Sequence, residues 1–401
     1  MRILKVTQGY APFFEFGGPP VKVRALAEGL ARRGHAVTVL TADWGLDQRL
    51  RERPEGNGAE ASPFGRRWKV NGVTAEYLGN WLHYRRLSWN PGLGRYLNAR
   101  LEDFEVAHIF GLYDFFGPRV AEECRKRQIP YVVEPIGMFL PIVRNIALKR
   151  MYHRIWGREM LSGASTIIAT AERERDELVT GGIPESRIML RRNGVETPAQ
   201  LPERGAFRNK ARIAKETKLI LFLGRLSQKK SPDLLLKAFA GLTPEKDAGE
   251  VLLVFVGPDE SGMKSKLQQM ARQAGVAERV LFCPPLEGEA KWEAYRDADV
   301  FALPSQSENF GNTAAEAVVA GTPVLVTDRC GIAPFLKDVA GVVVRHDEQD
   351  LKQALRHLLS DKSLYEQLRA GCATAVAGLG WDEPVHEMEV LYSRLAGHDR
   401  P

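Results

Sequence analysis

Two carboxylates fall close together in the segment PSQSENFGNTAAEAVVAGTPV: Glu308 in a glycine-containing stretch and Glu316 near the start of a helix-patterned one. Ionised carboxylates are strong acceptors for paired hydroxyls, so the segment suits a polyol ligand. Each has a plainer reading. Thr313-Ala-Ala-Glu316 has the spacing of a capping box, which stabilises a helix start without any ligand. Glu308, between Ser307 and Asn309, has no such local duty and is otherwise a surface charge.

Upstream, the apolar run ILFLG passes directly into GRLSQKKS, which puts Arg225, Lys229 and Lys230 just beyond a strand end. Arginine grips a diphosphate bidentately and lysine acts as a point charge, so Arg225 and Lys230 are candidates to hold a pyrophosphate. Solvated loop charge is the alternative. Near the N-terminus, GYAPFFEFGGPP sets Gly17 and Gly18 before two prolines suited to a first helical turn. Exposed amides at a helix N-terminus favour an anion, and a tight turn explains the same residues equally well.

The elements that must position these groups alternate. Residues 3–7, 20–33 and 36–40 read as strand, helix and strand, a βαβ unit, with further strands at 106–110, 130–133 and 166–169. The theme restarts with strands at 219–224, 251–257, 280–283, 300–304, 323–327 and 341–344, separated by helical spacing. Between them, NGVETPAQLPERGAFRNK carries prolines, glycines and little periodicity, which marks a linker. At 401 residues the chain exceeds one comfortable core, so two α/β domains are expected, 1–198 and 199–380.

Composition excludes several classes. Cys124, Cys283, Cys330 and Cys372 lie far apart with no CxxC spacing, so neither a zinc site nor a disulfide framework is expected, and a reducing cytosol fits. No apolar run is long enough to span a bilayer, and RILKVT is not a signal peptide. The net charge of +6 favours anionic partners. No histidine cluster or DxD pair at a strand end calls for a metal, and Asp297 and Asp299 in the string DAD read as surface charge.

Taken in order, the GGPP loop with LAEGLARRGHAVTVLT, then STIIAT, RRNGVE, GRLSQKKS, VFVGPD and ADVFALPSQSENFGNTAAEAVVAGTPVLVT resemble the retaining family-four glycosyltransferases over nearly the whole chain. The last fragment is the most specific. The resemblance implies the GT-B fold: two Rossmann-like domains with parallel sheets facing a central cleft, an acceptor domain first and a nucleotide-sugar domain second, with 381–401 returning to the first. It also implies that Gly17 and Gly18 reach the donor phosphates through amides, that Arg225 and Lys230 neutralise the diphosphate, and that Glu308 contacts donor-sugar hydroxyls and Glu316 the ribose. The base would lie against Cys283 and Leu286, with Asn309, Phe310 and Gly311 presenting amides near sugar and phosphate.

One departure stands out. Several relatives carry a histidine near the reacting sugar where this chain reads EPIGMF, and the nearest histidine is His108, at an earlier strand end. A lone histidine there reads first as a packed core residue and second as a catalyst. Glu134, in the same region, reads as a loop charge or a polar contact to ligand.

The reaction so implied is retaining, metal-independent transfer of a hexose from a nucleotide-diphosphate sugar, without a cofactor, to a saccharide or lipid-linked acceptor in polysaccharide or glycolipid synthesis. The aromatic and basic stretches 81–96 and 143–158 suit peripheral contact with an anionic membrane at its cytoplasmic face, or else a solvated basic face with buried aromatics. A nucleotide-sugar epimerase or a phosphorylase on the same scaffold is the nearer alternative. Nucleic-acid binding is remote, since no recognised motif is present.

Overall fold

Strands buried on both faces read as near-continuous apolar runs, and most of the runs in this sequence are of that kind, with Lys5, His108 and Glu134 as buried exceptions. The computed structural model describes residues 1–52, 54–56, 58–84, 87–140, 146–242, 250–260 and 262–398. Parts of the two aromatic and basic stretches, 85–86 and 143–145, lie outside the described residues. The chain divides into two units, Met1–Gly194 with Trp381–Pro401, and Val195–Gly380. The sequence reading put that first boundary at 198.

The first unit carries β1 (Arg2–Val6), β2 (Ala36–Ala42), β3 (Ala59–Ser62), β4 (Gly65–Val70), β5 (Val73–Leu78), β6 (Leu82–Tyr84), β7 (Leu87–Trp89), β8 (Val106–Phe110), β9 (Tyr131–Glu134), β10 (Thr166–Ala169) and β11 (Ile188–Leu190). Its main sheet runs β11-β10-β9-β8-β1-β2-β5-β4-β3, with β6 and β7 forming a separate hairpin. The sheet is parallel as far as β5 and antiparallel at β4 and β3. Period-two alternation sends Ile3 to one core, under helices Gly18–Arg32 and Asp382–Leu395. Leu4 and Val6 go to the other, under helix Phe116–Lys126.

The second unit is built on β12 (Lys218–Leu223), β13 (Val251–Val256), β14 (Val280–Cys283), β15 (Val300–Leu303), β16 (Val324–Thr327) and β17 (Gly341–Val344), ordered β14-β13-β12-β15-β16-β17 and parallel throughout. Leu219, Leu221 and Leu223 face helix Asn312–Val319, whereas Ile220 and Phe222 face helix Pro232–Ala240. Each sheet reverses its winding once, between β1 and β8 and between β12 and β15. Loops leaving the carboxyl ends of such strand pairs diverge and open a crevice, so the topology by itself marks where ligands bind.

The DAD string is not surface charge. Asp297 is buried and accepts the amides of Gly205 (2.5 Å) and Arg208 (3.0 Å), which caps the short helix Ala206–Ala211 inside the expected linker. Asp299 accepts the Leu219 amide at 2.7 Å and pairs with Arg208 at 2.9 Å. Both carboxylates staple the linker segment to the second sheet.

Candidate active site

At the winding reversal of the second unit, β12 ends at Gly224, where the loop turns tightly against the loop after β13. A Cβ on Gly257 would overlap the Gly224 carbonyl. Arg225 follows, exposed, with no ion pair or side-chain hydrogen bond among the described residues. Lys230 closes a short 3-10 turn, Gln228–Lys230, and its Nζ donates to Glu308 Oε2 at 2.5 Å. Glu308 belongs to the loop after the neighbouring strand β15, so the sheet brings together two residues far apart in sequence.

That loop is held from behind. The Glu308 amide donates to the Arg329 carbonyl at 3.0 Å and its carbonyl accepts from Gly331 at 3.1 Å, while Ile332 donates to Phe310 at 2.7 Å. Burial works against charge on the Glu308 carboxyl. The ammonium of Lys230, then that of Lys229 and the Ser305 hydroxyl, outweigh it and hold the group below the usual carboxylate range. Beyond Glu308, Phe310 is buried, and Gly311 at φ 115 turns the chain into helix Asn312–Val319. The amides of Phe310 and Gly311 find no acceptor among the described residues, so oriented donors are available at a helix N-terminus beside the ion pair.

Glu316 corrects the capping-box reading. Gly311 is the N-cap, which puts Thr313 inside the first turn, with its buried hydroxyl unpartnered. The Glu316 carboxylate instead accepts Lys291 Nζ at 2.9 Å and the Tyr295 hydroxyl at 2.8 Å, both from helix Gly288–Asp297. Burial and the adjacent carboxylate push the Tyr295 phenol well above its ordinary range, so it stays a donor. Cys283 ends β14 half-buried, and Leu286 packs on the core ahead of the Lys291 helix. Asn309 is also half-buried.

In the first unit the glycine loop offers less than the sequence suggests. Helix Gly18–Arg32 does begin there, but Gly17 already donates its amide to Phe14 at 2.9 Å, and Pro19 and Pro20 have none to give. Gly18 alone keeps an unpartnered amide at this helix start, among the described residues.

Two family models match. "Glycosyl transferase 4-like domain" covers residues 17–194 and "Glycosyl transferases group 1" covers 203–372, so between them they take in both units. The chain belongs to the GT4-type glycosyltransferases. Curated relatives include a D-inositol 3-phosphate glycosyltransferase of Nocardia farcinica, 32% identical over 268 residues, which are 63% of this chain and 59% of that protein. One from Xylanimonas cellulosilytica is 36% identical over 255 residues, 60% of each. The chain thus spans about three fifths of the length of the curated relatives it matches. Among solved structures, sucrose-phosphate synthase of Thermosynechococcus elongatus superposes with TM-score 0.76 at 18% identity, over 99% of this chain and 100% of that one. HepE of Anabaena, in complex with UDP and glucose, gives 0.76 at 16%, over 98% and 100%. These likenesses establish the GT-B fold.

His108 takes the packed-core reading. His108 is fully buried in β8, shares a 2.6 Å hydrogen bond through Nδ1 with the Tyr392 hydroxyl, and stacks on Phe110. Burial, followed by the charges of Lys5 and Arg191, depresses its pKa well below the ordinary value, so it is a neutral core imidazole out of reach of a substrate. Glu134 is not a loop charge either. It ends β9 fully buried between Lys22 Nζ (2.5 Å) and Arg191 Nη2 (2.8 Å). Burial opposes its ionisation, but Arg191 and then Lys22 hold the carboxyl below its usual range. Sequence reasoning missed Lys5, Lys22, Arg191 and Tyr392 in the first unit and Lys291 and Tyr295 in the second. A lysine in the middle of an apolar strand, as in RILKV, is the one signal that pointed to the first group.

Proposed function

We propose that the chain transfers a hexose from a nucleotide-diphosphate sugar to a saccharide or lipid-linked acceptor, with retention of configuration, without a metal ion or cofactor, at the cytoplasmic face of a membrane in polysaccharide or glycolipid synthesis. The observation that carries this reading is the arrangement at the β12/β15 reversal: unpaired Arg225, the Lys230–Glu308 pair at 2.5 Å, and the open amides of Phe310 and Gly311.

Breaking the anomeric bond builds negative charge on the departing diphosphate. Fixed cations and amides aimed there stabilise the transition state more than the ground state. Lys230 can exchange its carboxylate partner for phosphate, which frees Glu308 to accept from sugar hydroxyls, while Arg225 is free to bind phosphate from the outset. Glu316, on the next helix, is the acceptor for ribose. The attacking hydroxyl approaches from the leaving-group face and passes its proton to a phosphate oxygen, so no protein nucleophile is needed. The names of similar proteins, with UDP and glucose in one and D-inositol 3-phosphate in others, make UDP-glucose and inositol 3-phosphate the first pair to try.

The test incubates the chain with a panel of sugar nucleotides, with and without acceptors. Acceptor-dependent release of nucleoside diphosphate, unchanged by excess chelator and giving product with the donor's anomeric configuration, is expected. Isomerised donor in the absence of acceptor would establish an epimerase instead, and a requirement for added magnesium would remove the metal-free mechanism.

A further inference from the structure

We propose that the first unit docks on an anionic lipid surface through the face formed by residues 146–158 and the adjoining Trp89 and Phe115. Large apolar side chains left in water need a reason when they cluster. Leu148, Met151, Ile155 and Trp156 are all exposed on one continuous helical run, Ile146–Tyr152 passing through a π-turn at His153–Gly157. The cluster extends beyond that run. Trp156 meets Phe115 with ring centroids 5.9 Å apart, Phe115 meets Trp89 at 5.9 Å, and Trp81, at the start of the same hairpin, is 80% exposed.

Charge selects the occupant. Along the run, Arg150, Arg154 and Arg158 follow one another at helical spacing beside the apolar row Leu148, Met151 and Ile155. These three arginines are exposed and make no ion pair among the described residues. The stretch IALKRMYHRIWGR contains no aspartate or glutamate. A second copy of the chain would set this basic row against its own image across a two-fold contact, which is repulsive. A bilayer rich in acidic headgroups takes both components at once, the apolar row entering the headgroup boundary and the arginines meeting lipid phosphates. This names the surface behind the lipid-linked acceptor reading and rests on that reading only for the acceptor's chemistry.

Flotation of the full chain with vesicles of phosphatidylcholine alone or mixed with phosphatidylglycerol tests it. Binding to the mixed vesicles at low salt, reversed at high salt, is expected, with tryptophan fluorescence quenched by brominated lipid. The L148S/I155S/W156S variant should lose at least roughly ten-fold in vesicle binding, and R150Q/R154Q/R158Q should lose the preference for phosphatidylglycerol. Unchanged thermal unfolding is the control that both variants are folded. Equal binding to neutral and acidic vesicles, or variants that float as well as the parent, would overturn the proposal. So would a parent dimer that L148S/I155S/W156S dissociates, because the face would then join copies. Vesicle binding without sugar transfer would sink the function and leave the docking face standing; transfer without vesicle binding would do the opposite.

Discussion

Lys22–Glu134 in the first unit and Lys230–Glu308 in the second are the same two groups at the same 2.5 Å separation. Their side chains differ in exposure: 3% and 0% for the first pair, 16% and 19% for the second. A fully enclosed pair has nowhere to exchange partners, and removing one member strands the other in a medium that tolerates charge poorly. A pair at the lip of a crevice can trade its lysine for a phosphate and its carboxylate for a hydroxyl. Contact geometry alone would have put the two in one class. Under the function proposed above, access to ligand is what sets the second pair apart from the first, and topology set that access when it put one pair beneath packed helices and the other on loops beyond strand ends.

The sharpest way to break this contrast is to delete the enclosed carboxylate. Glu134→Ala leaves Lys22 and Arg191 uncompensated and should lower unfolding stability by about 3–5 kcal/mol, read by denaturant titration. A loss below about 1 kcal/mol would mean the cluster is solvated and the contrast is false. At the crevice the effects should fall on rate instead. Arg225→Ala is expected to reduce turnover by about 100- to 1000-fold with an unchanged melting temperature, since the side chain is exposed and has no partner in the fold. Near-normal turnover would take Arg225 out of the mechanism.

Lys5 sharpens the enclosed side through pH. Burial, then the charge of Arg191, lowers its pKa from 10.5 to about 7. Between those values the unfolded chain binds more protons than the folded one, so this residue makes stability rise with pH across that window; below it the penalty is complete. Lys5→Met should therefore stabilise the chain by about 1–4 kcal/mol at neutral pH, and the gain should fade as pH approaches 10. A gain independent of pH would point to packing rather than charge. The smallest effect is expected at Thr313. With its hydroxyl buried and unpartnered, Thr313→Val should change stability by less than about 0.5 kcal/mol or raise it slightly. A loss near 1 kcal/mol would restore the capping role that the structure denies.

The alternating order of elements was legible because parallel strands buried on both faces leave apolar runs, and β12 to β17 appear where those runs fall. The antiparallel edge from β3 to β5 was not read, since AEAS is short and polar and GRRWKV presents charge on one side. Arg225 and Lys230 were picked out by strand-end position and charge type and Glu308 by the family resemblance, and the structure pairs Lys230 with Glu308. The partners of Glu134 and Glu316 were not picked out, because Lys22 lies 112 residues from Glu134, and Lys291 lies 25 from Glu316 on another helix. Register and helix packing create those meetings, and neither leaves a local pattern. The capping box failed for a related reason: Gly311, with its left-handed backbone, starts the helix before Thr313 can cap it.

The helix Asp382–Leu395 supplies Tyr392, Met388 and Val385 to the core of the first unit, although it follows the whole of the second in sequence. A ribosome therefore releases the contiguous unit Val195–Gly380 with all its parts in hand while the earlier sheet still lacks one wall. Assembly during synthesis is expected to finish in reverse, with the segment made second folding to completion first and the segment made first sealing last.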